Sequence, residues 1–265
     1  MEYETLSYEH VEHVVTLTYN RPDQHNAINR TMNAELHHAW QRFRDDQDAF
    51  VLVITGAGET TFCAGWDLQD AADLGEPGDW DAFRVGLYNN PGECGYTRKA
   101  DIFKPVIAAV NGYCLGYGLT LATWCDFVVA SDRAEFGLPE VNLGMPAVVA
   151  SIRLPQRINW ADAMELLLTG ERIDAERARA MGLVWKVVPH DALLAEARGL
   201  AARLRNGAPV AQRVMKEMAM RTRHMPSLEA IRFGETMRLV AGRSQDAAEG
   251  LAAAAERRPA RWTGR

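Results

Sequence analysis

The run VLVITGAG at positions 51–58 is apolar at its first four residues and then breaks into glycine. A strand with one wet face alternates apolar and polar residues; one that is apolar throughout has both faces covered, as in a parallel or mixed sheet flanked by helices. Val106-Ile107-Ala108-Ala109-Val110 has the same character, and Phe127-Val128-Val129 is strand-like again. Upstream, 5–9 and 14–19 mix β-branched, aromatic and polar residues around Glu9-His10-Val11-Glu12, which predicts two short strands joined by a turn. Met32, Leu36, Trp40 and Phe43 follow at helical spacing, with Asn29 or Thr31 available as the cap. From Trp160 onward the helical period dominates, over 161–168, 175–181, 193–204, 210–220 and 228–240. Alternating strands and helices followed by a run of helices predict one α/β core with a helical annex, the soft boundary lying near residue 200.

The chain has 265 residues, enough for one to two domains, and its 48% apolar and 24% charged content is that of an ordinary globular protein. Lysine and arginine total 29 against 35 acidic residues, a net charge of −6, which argues against a nucleic-acid binder. No apolar run reaches the roughly 18 residues that span a bilayer, and Met1-Glu2-Tyr3-Glu4 is acidic where a secretory signal is basic, so no membrane partner and a cytoplasmic location are expected. Cys63, Cys94, Cys114 and Cys125 have no CxxC spacing, and His10, His13, His37 and His38 lack companion ligands at zinc spacing. Buried thiols and no metal site are the expectation. There is no internal repeat, no GxxxxGK[ST] loop, no GxGxxG fingerprint and no GxSxG elbow. The irregular stretch between Trp80 and Lys104, with Asn89-Asn90-Pro91-Gly92, reads as a mobile loop or a broken helix.

Three segments can carry chemistry. GAGETTFCAGWD at 56–67 leaves a buried strand through glycines, which allow backbone N–H groups to approach a ligand closely; alone, it is also an ordinary turn. GYCLGYGLT at 112–120 leads into an apolar helix read over 119–124. The first N–H groups of a helix have no internal partner and stabilise an oxygen that becomes negative, though a Gly-rich helix entry serves close packing more often. FGLPEVNLG at 136–144 sets Glu140 among Phe136, Leu138, Val141 and Leu143. Desolvation there raises the pKa of an acid toward values useful for proton transfer; an exposed loop glutamate is the plain alternative.

Together with NRPDQHNAI at 20–28, KPVIAAVNGYCLGYG at 104–118, LLTGERIDAERARAMGLVWKVV at 167–188 and RRPARWTGR at 257–265, these segments resemble the crotonase, or enoyl-CoA hydratase/isomerase, superfamily over nearly the whole chain. The resemblance implies a crotonase-like spiral of ββα units, with residues 1–200 as an acyl-CoA-binding core and 201–265 as a helical C-terminal trimerisation region. It implies an acyl-CoA thioester as substrate, with coenzyme A entering as part of that substrate and no separate cofactor, and a homotrimer or dimer of trimers. The backbone N–H groups that hold the thioester oxygen fall on Trp66 and Tyr117. Losing one such donor typically costs about 2.7 to 4 kcal/mol of barrier. By position, the adenine lies near Gln24, His25, Ala27 and Ala64, and the pantetheine runs past Trp66, Asp67, Leu68 and Gln69, with Gly118 beside Tyr117 in the substrate site. Arg21, Arg98 and Lys99 are the candidate cations for its phosphates.

Hydratases of this family use two glutamates. The second matches Glu140; the first falls on Thr120, whose hydroxyl orients water but is no base at neutral pH. Asp67, Asp70, Asp73, Glu93 and Asp101 are the acids near enough in sequence to replace it, although Asp67 also suits a helix cap. Tyr117 and Trp66 stand where the family has small residues, and with Tyr113 and Trp124 they suit a cyclic or aromatic acyl group or, equally, core packing. The reading is therefore an enoyl-CoA hydratase-type lyase acting through an enolate with Glu140 as single acid/base. The alternatives are a double-bond isomerase, a hydratase-lyase on a cyclic or aromatic acyl-CoA, a carnitinyl-CoA dehydratase-like enzyme, and a non-catalytic CoA-binding homologue.

Overall fold

The computed structural model describes residues 2–71 and 102–265, with Asp70 and Ala71 as backbone only. The stretch around Asn89–Gly92, together with Asp73, Glu93, Cys94, Arg98, Lys99 and Asp101, lies outside the described residues.

β1 (Leu6–Val11) and β2 (Val14–Tyr19) form an antiparallel hairpin. Its two turn residues, Glu12 at φ 46° and His13 at φ 69°, both adopt the left-handed conformation whose twist matches that of paired strands. β2 then runs parallel to β3 (Val51–Gly56), β3 to β5 (Val106–Val110), β5 to β7 (Phe127–Ser131) and β7 to β10 (Lys186–Val188), giving a six-stranded sheet in the order β1-β2-β3-β5-β7-β10. A second sheet has the order β4 (Thr61–Cys63), β6 (Tyr113–Leu115), β8 (Glu135–Gly137), β9 (Arg172–Asp174). Each of the pairs β3-β4, β5-β6 and β7-β8 places its first strand in the large sheet and its second in the small one. Helical turns follow at Leu68–Ala71, Tyr117–Ala122 and Pro139–Leu143, so the chain winds as successive ββα units.

Side-chain alternation assigns the two faces of the large sheet to two cores. Leu52, Ile54, Val106, Ala108, Val110, Val128 and Ala130 face the main core between the sheets, while Val51, Val53, Ile107, Ala109 and Val129 face the helix Leu193–Arg205. That is why 51–54 and 106–110 are apolar at every position. α1 (Arg30–Asp45) closes the main core with Met32, Leu36, Trp40 and Phe43, all fully buried, and Asn29 caps it by accepting the Met32 N–H at 2.8 Å. Each such side chain contributes about 1.5 to 3 kcal/mol by leaving water. Residue 200 lies inside the Leu193–Arg205 helix, whose Leu193, Ala197, Leu200 and Ala201 cover the second face. The helices Pro209–Arg221, Ser227–Ala241 and Gln245–Glu256 follow, and the last was not foreseen. Among the described residues no helix is long and apolar enough to cross a membrane. Cys63, Cys114 and Cys125 are buried free thiols.

Candidate active site

β4, β6 and β8 are neighbouring parallel strands, so their carboxyl ends open on the same side. Trp66 comes three residues after the end of β4, Tyr117 two after β6 and Glu140 three after β8. The crevice beyond the carboxyl ends of parallel strands is where ligands bind in α/β folds. Topology thus gathers residues 66, 117 and 140 although they are far apart in the chain.

Two backbone conditions set the first amide. Ile28 N–H donates to Gly65 O at 2.8 Å and Asp67 N–H donates to Ile28 O at 3.0 Å, a parallel bridge centred on Trp66. In such a bridge the central residue's own N–H points away from the partner. Away from Ile28 lies the 115–117 segment: a methyl built on Gly65 would stand 3.1 Å from the Tyr117 nitrogen. Tyr117 is the first residue of the helix Tyr117–Ala122, so its N–H takes no part in that helix's own ladder. This helix starts two residues earlier than the apolar pattern predicts, and the shift brings Tyr117 into the first turn. The rings of Trp66 and Tyr117 stack, centroids 5.3 Å apart and planes 22° from parallel.

The glycines of 112–118 serve two purposes. Gly116 caps the helix at φ 55° and ψ −124°, a conformation open to glycine, whereas Gly118 allows close packing, since a methyl there would stand 2.4 Å from Cys63 O. Glu140 sits in the 3-10 turn Pro139–Leu143 with its carboxyl on Gly116, Oε1 3.2 Å from where a Cβ would be. The residue is half-buried and its Oε2 is shielded from solvent. Thr120, 3% exposed, follows Gly116 by one turn, its N–H donating to Gly116 O at 3.1 Å.

The rim residues come together as well. Ala64 N–H donates to His25 O at 3.1 Å, and His25 Nδ1 lies 3.3 Å from Thr61 Oγ1. Gln24, His25, Leu68 and Gln69 are exposed, and Ala27, Ala64 and Trp66 are half-buried along the same edge. Two candidates are occupied internally. Arg21 Nη1 donates to Ala27 O at 2.5 Å and to Asp67 Oδ2 at 3.0 Å, so this nitrogen of Arg21 clamps the chain to itself. Asp67 spends its other oxygen on the Gln69 N–H at 3.2 Å, the cap role, and does not replace the missing acid. Tyr113 and Trp124 each lie under an arginine, Arg172 at 5.0 Å and Arg153 at 4.2 Å.

Sequence reading missed the polar pins of this region. Asn26 Nδ2 donates to Ala57 O at 3.0 Å and Thr61 O at 2.8 Å, and Asn111 Nδ2 to Gly58 O at 2.9 Å. Both asparagines are buried beside apolar residues, Asn26 before Ala27-Ile28 and Asn111 after Ala108-Ala109-Val110, and that contrast was the available signal.

Residues 9–265 match the enoyl-CoA hydratase/isomerase family. The carnitinyl-CoA dehydratases of Citrobacter koseri and Escherichia coli are 42% and 41% identical to this chain over 257 residues, covering 95% of each protein. Among solved structures, the enoyl-CoA hydratase of Mycobacterium tuberculosis matches with a TM-score of 0.88 at 33% identity over 98% of this chain and 99% of that one. The enoyl-CoA hydratase of Bacillus anthracis matches with 0.88 at 30% identity over 99% and 100%. The chain belongs to the enoyl-CoA hydratase/isomerase family, and it is an enzyme of the hydratase/dehydratase type.

Proposed function

We propose that this enzyme interconverts a 3-hydroxyacyl-CoA and the 2-enoyl-CoA with water, using Glu140 as its one acid/base. The observation that carries the reading is the Glu140 carboxyl lying on Gly116, the residue before Tyr117, with Gly65, the residue before Trp66, against the Tyr117 nitrogen. Those two N–H groups hold the thioester oxygen and stabilise the negative charge it gains when the α-carbon loses its proton. In the dehydrating direction the Glu140 carboxylate takes the α-proton and the C–H electron pair enters the enolate. That pair then forms the Cα–Cβ double bond as the β-hydroxyl leaves, taking the proton back from Glu140 to become water. One carboxyl serves both ends of the step, which requires syn elimination.

Thr120 contributes a hydroxyl that holds the leaving or attacking water and moves no net proton. The 40–42% identical relatives named carnitinyl-CoA dehydratase support water removal as the chemistry. A double-bond isomerase is the second reading, favoured by Thr120 standing where a second carboxylate would activate water. Incubating the enzyme with a 2-enoyl-CoA and, separately, a 3-enoyl-CoA distinguishes the two. A gain of one water on the first substrate is expected; migration of the double bond in the second without that gain overturns the hydro-lyase reading. The exposed apolar side chains of the C-terminal helices, including Leu228, Ile231, Leu239, Val240 and Leu251, support assembly as a homotrimer or dimer of trimers, which sedimentation checks.

A further inference from the structure

We propose that Arg21, acting through Asp67, is a positioning residue for the Trp66 amide; the inference rests on the oxyanion role given above to that amide. Trp66 sits between two bonds to Ile28, Gly65 O accepting and Asp67 N–H donating. The Gly65 carbonyl and the Trp66 N–H share one planar peptide, so rotation of that peptide would break the Ile28 bond and swing the Trp66 N–H off its target, and the Asp67 bond to Ile28 O fixes the chain on its other side. The Arg21 guanidinium holds both strands of this bridge through one nitrogen, Nη1, which reaches Ala27 O at 2.5 Å on one strand and Asp67 Oδ2 at 3.0 Å on the other.

The pair is sheltered, Arg21 at 17% and Asp67 at 14% side-chain exposure, so solvent screens it less than a surface ion pair. Arg21 is itself fixed at its backbone, its N–H donating to Asn26 Oδ1 at 3.0 Å, and Asn26 in turn is pinned to Ala57 O and Thr61 O. The clamp therefore has a rigid root in the β3–β4 connection and a working end on the residue next to Trp66. Across the site, the Trp66 and Tyr117 rings stack at 5.3 Å. The gap between the two amides is thus set from both sides, by the clamp and by the ring contact.

An amide whose bond to the thioester oxygen strengthens as charge develops there affects turnover more than substrate binding. Arg21→Met and Asp67→Asn are each expected to lower kcat by about tenfold to a hundredfold, part of the loss typical of a deleted oxyanion donor, with KM within threefold of wild type. The double variant loses no more than the worse single one, and Arg21→Lys recovers part of the activity by restoring the charge. The readout that a merely structural role would not move is the carbonyl stretch of a bound saturated acyl-CoA labelled with 13C at the thioester carbon. In wild type it shifts to lower frequency on binding, and in the variants the shift shrinks.

Full activity and an undiminished shift in a variant that melts like wild type overturn the proposal, as does a loss confined to KM. Should Arg21→Met fail to fold, the isosteric Asp67→Asn carries the same test. Absence of any shift in wild type refutes the oxyanion reading, which is a separate result from equal shifts in wild type and variants.

Discussion

The carboxyl of Glu140 rests on the backbone of Gly116. A methyl group built on Gly116 would meet Oε1 at 3.2 Å, the carboxyl carbon at 3.5 Å and Oε2 at 3.7 Å, and its three nearest neighbours would all belong to Glu140. Gly116 also takes φ 55°, where side chains are strained. Gly116→Ala should therefore displace the acid and cost about 1 to 3 kcal/mol of stability. Turnover should fall more than tenfold; a thermal melt and an assay on the same preparation check both.

Removing the proton carrier while keeping its shape isolates the chemistry. Glu140→Gln preserves the 3-10 turn Pro139–Leu143, because that turn is held by backbone bonds such as Met145 N–H to Glu140 O at 3.0 Å. Loss of general acid-base catalysis is worth about 10² to 10⁴ in rate. Turnover should fall by that much while calorimetric CoA binding stays within threefold; unchanged turnover would remove Glu140 from the mechanism.

Thr120→Val tests the hydroxyl. Valine matches threonine in shape, so the 3%-exposed position stays filled, and one neutral hydrogen bond to water is lost, worth about 0.5 to 1.5 kcal/mol. Water addition should slow by no more than about tenfold. A loss as large as that of Glu140→Gln would mean that Thr120 does more than orient.

The parts of the fold legible in the sequence are those with a long period. Val51–Ile54 and 106–110 declare a doubly covered sheet, and Met32, Leu36, Trp40 and Phe43 declare the helix that Asn29 caps. The small sheet was illegible because β4, β6, β8 and β9 have three residues each, too few for any period to register. The hairpin was legible with its turn read around Glu9–Glu12; the turn lies at Glu12 and His13, where no glycine or asparagine marks it. Within the site, the Gly116 and Glu140 segments were visible one by one, and their meeting was expected only by resemblance. The Arg21–Asp67 pair joins residues 46 apart, and Arg21 as a sequence feature looked like a phosphate ligand. Only the geometry shows both of its bonds turned inward.

The buried thiols give a chemical test of the core. Burial pushes the Cys63 and Cys125 thiols up to about 12, and Cys114 is raised well above the usual range by burial and by its neighbours Cys63 and Cys125. The thiolate is the reactive form, so at pH 8 none of the three should react in the native protein. Peptide mapping after iodoacetamide should find them unmodified until denaturant is added.

Lys104 supplies a pH test of stability. Its Nζ donates to Phe43 O at 2.7 Å and Asp46 O at 2.5 Å, satisfying carbonyls at the C-terminal end of α1. Cations are favoured there by the helix dipole, yet burial, helped by the Arg213 charge, pushes the Lys104 ammonium down to about 8 from its ordinary 10.5. Between those two values the unfolded chain keeps a proton that the native state has released. Stability rises with pH wherever the unfolded state binds more protons, so Lys104 contributes a positive slope between about pH 8 and 10.5 and none below. Lys104→Met deletes that group and its slope. Urea unfolding at pH 7, 9 and 10 should show the wild type gaining stability relative to Lys104→Met as the pH rises. A constant difference across the three would mean that Lys104 titrates in the native protein as it does in the unfolded chain.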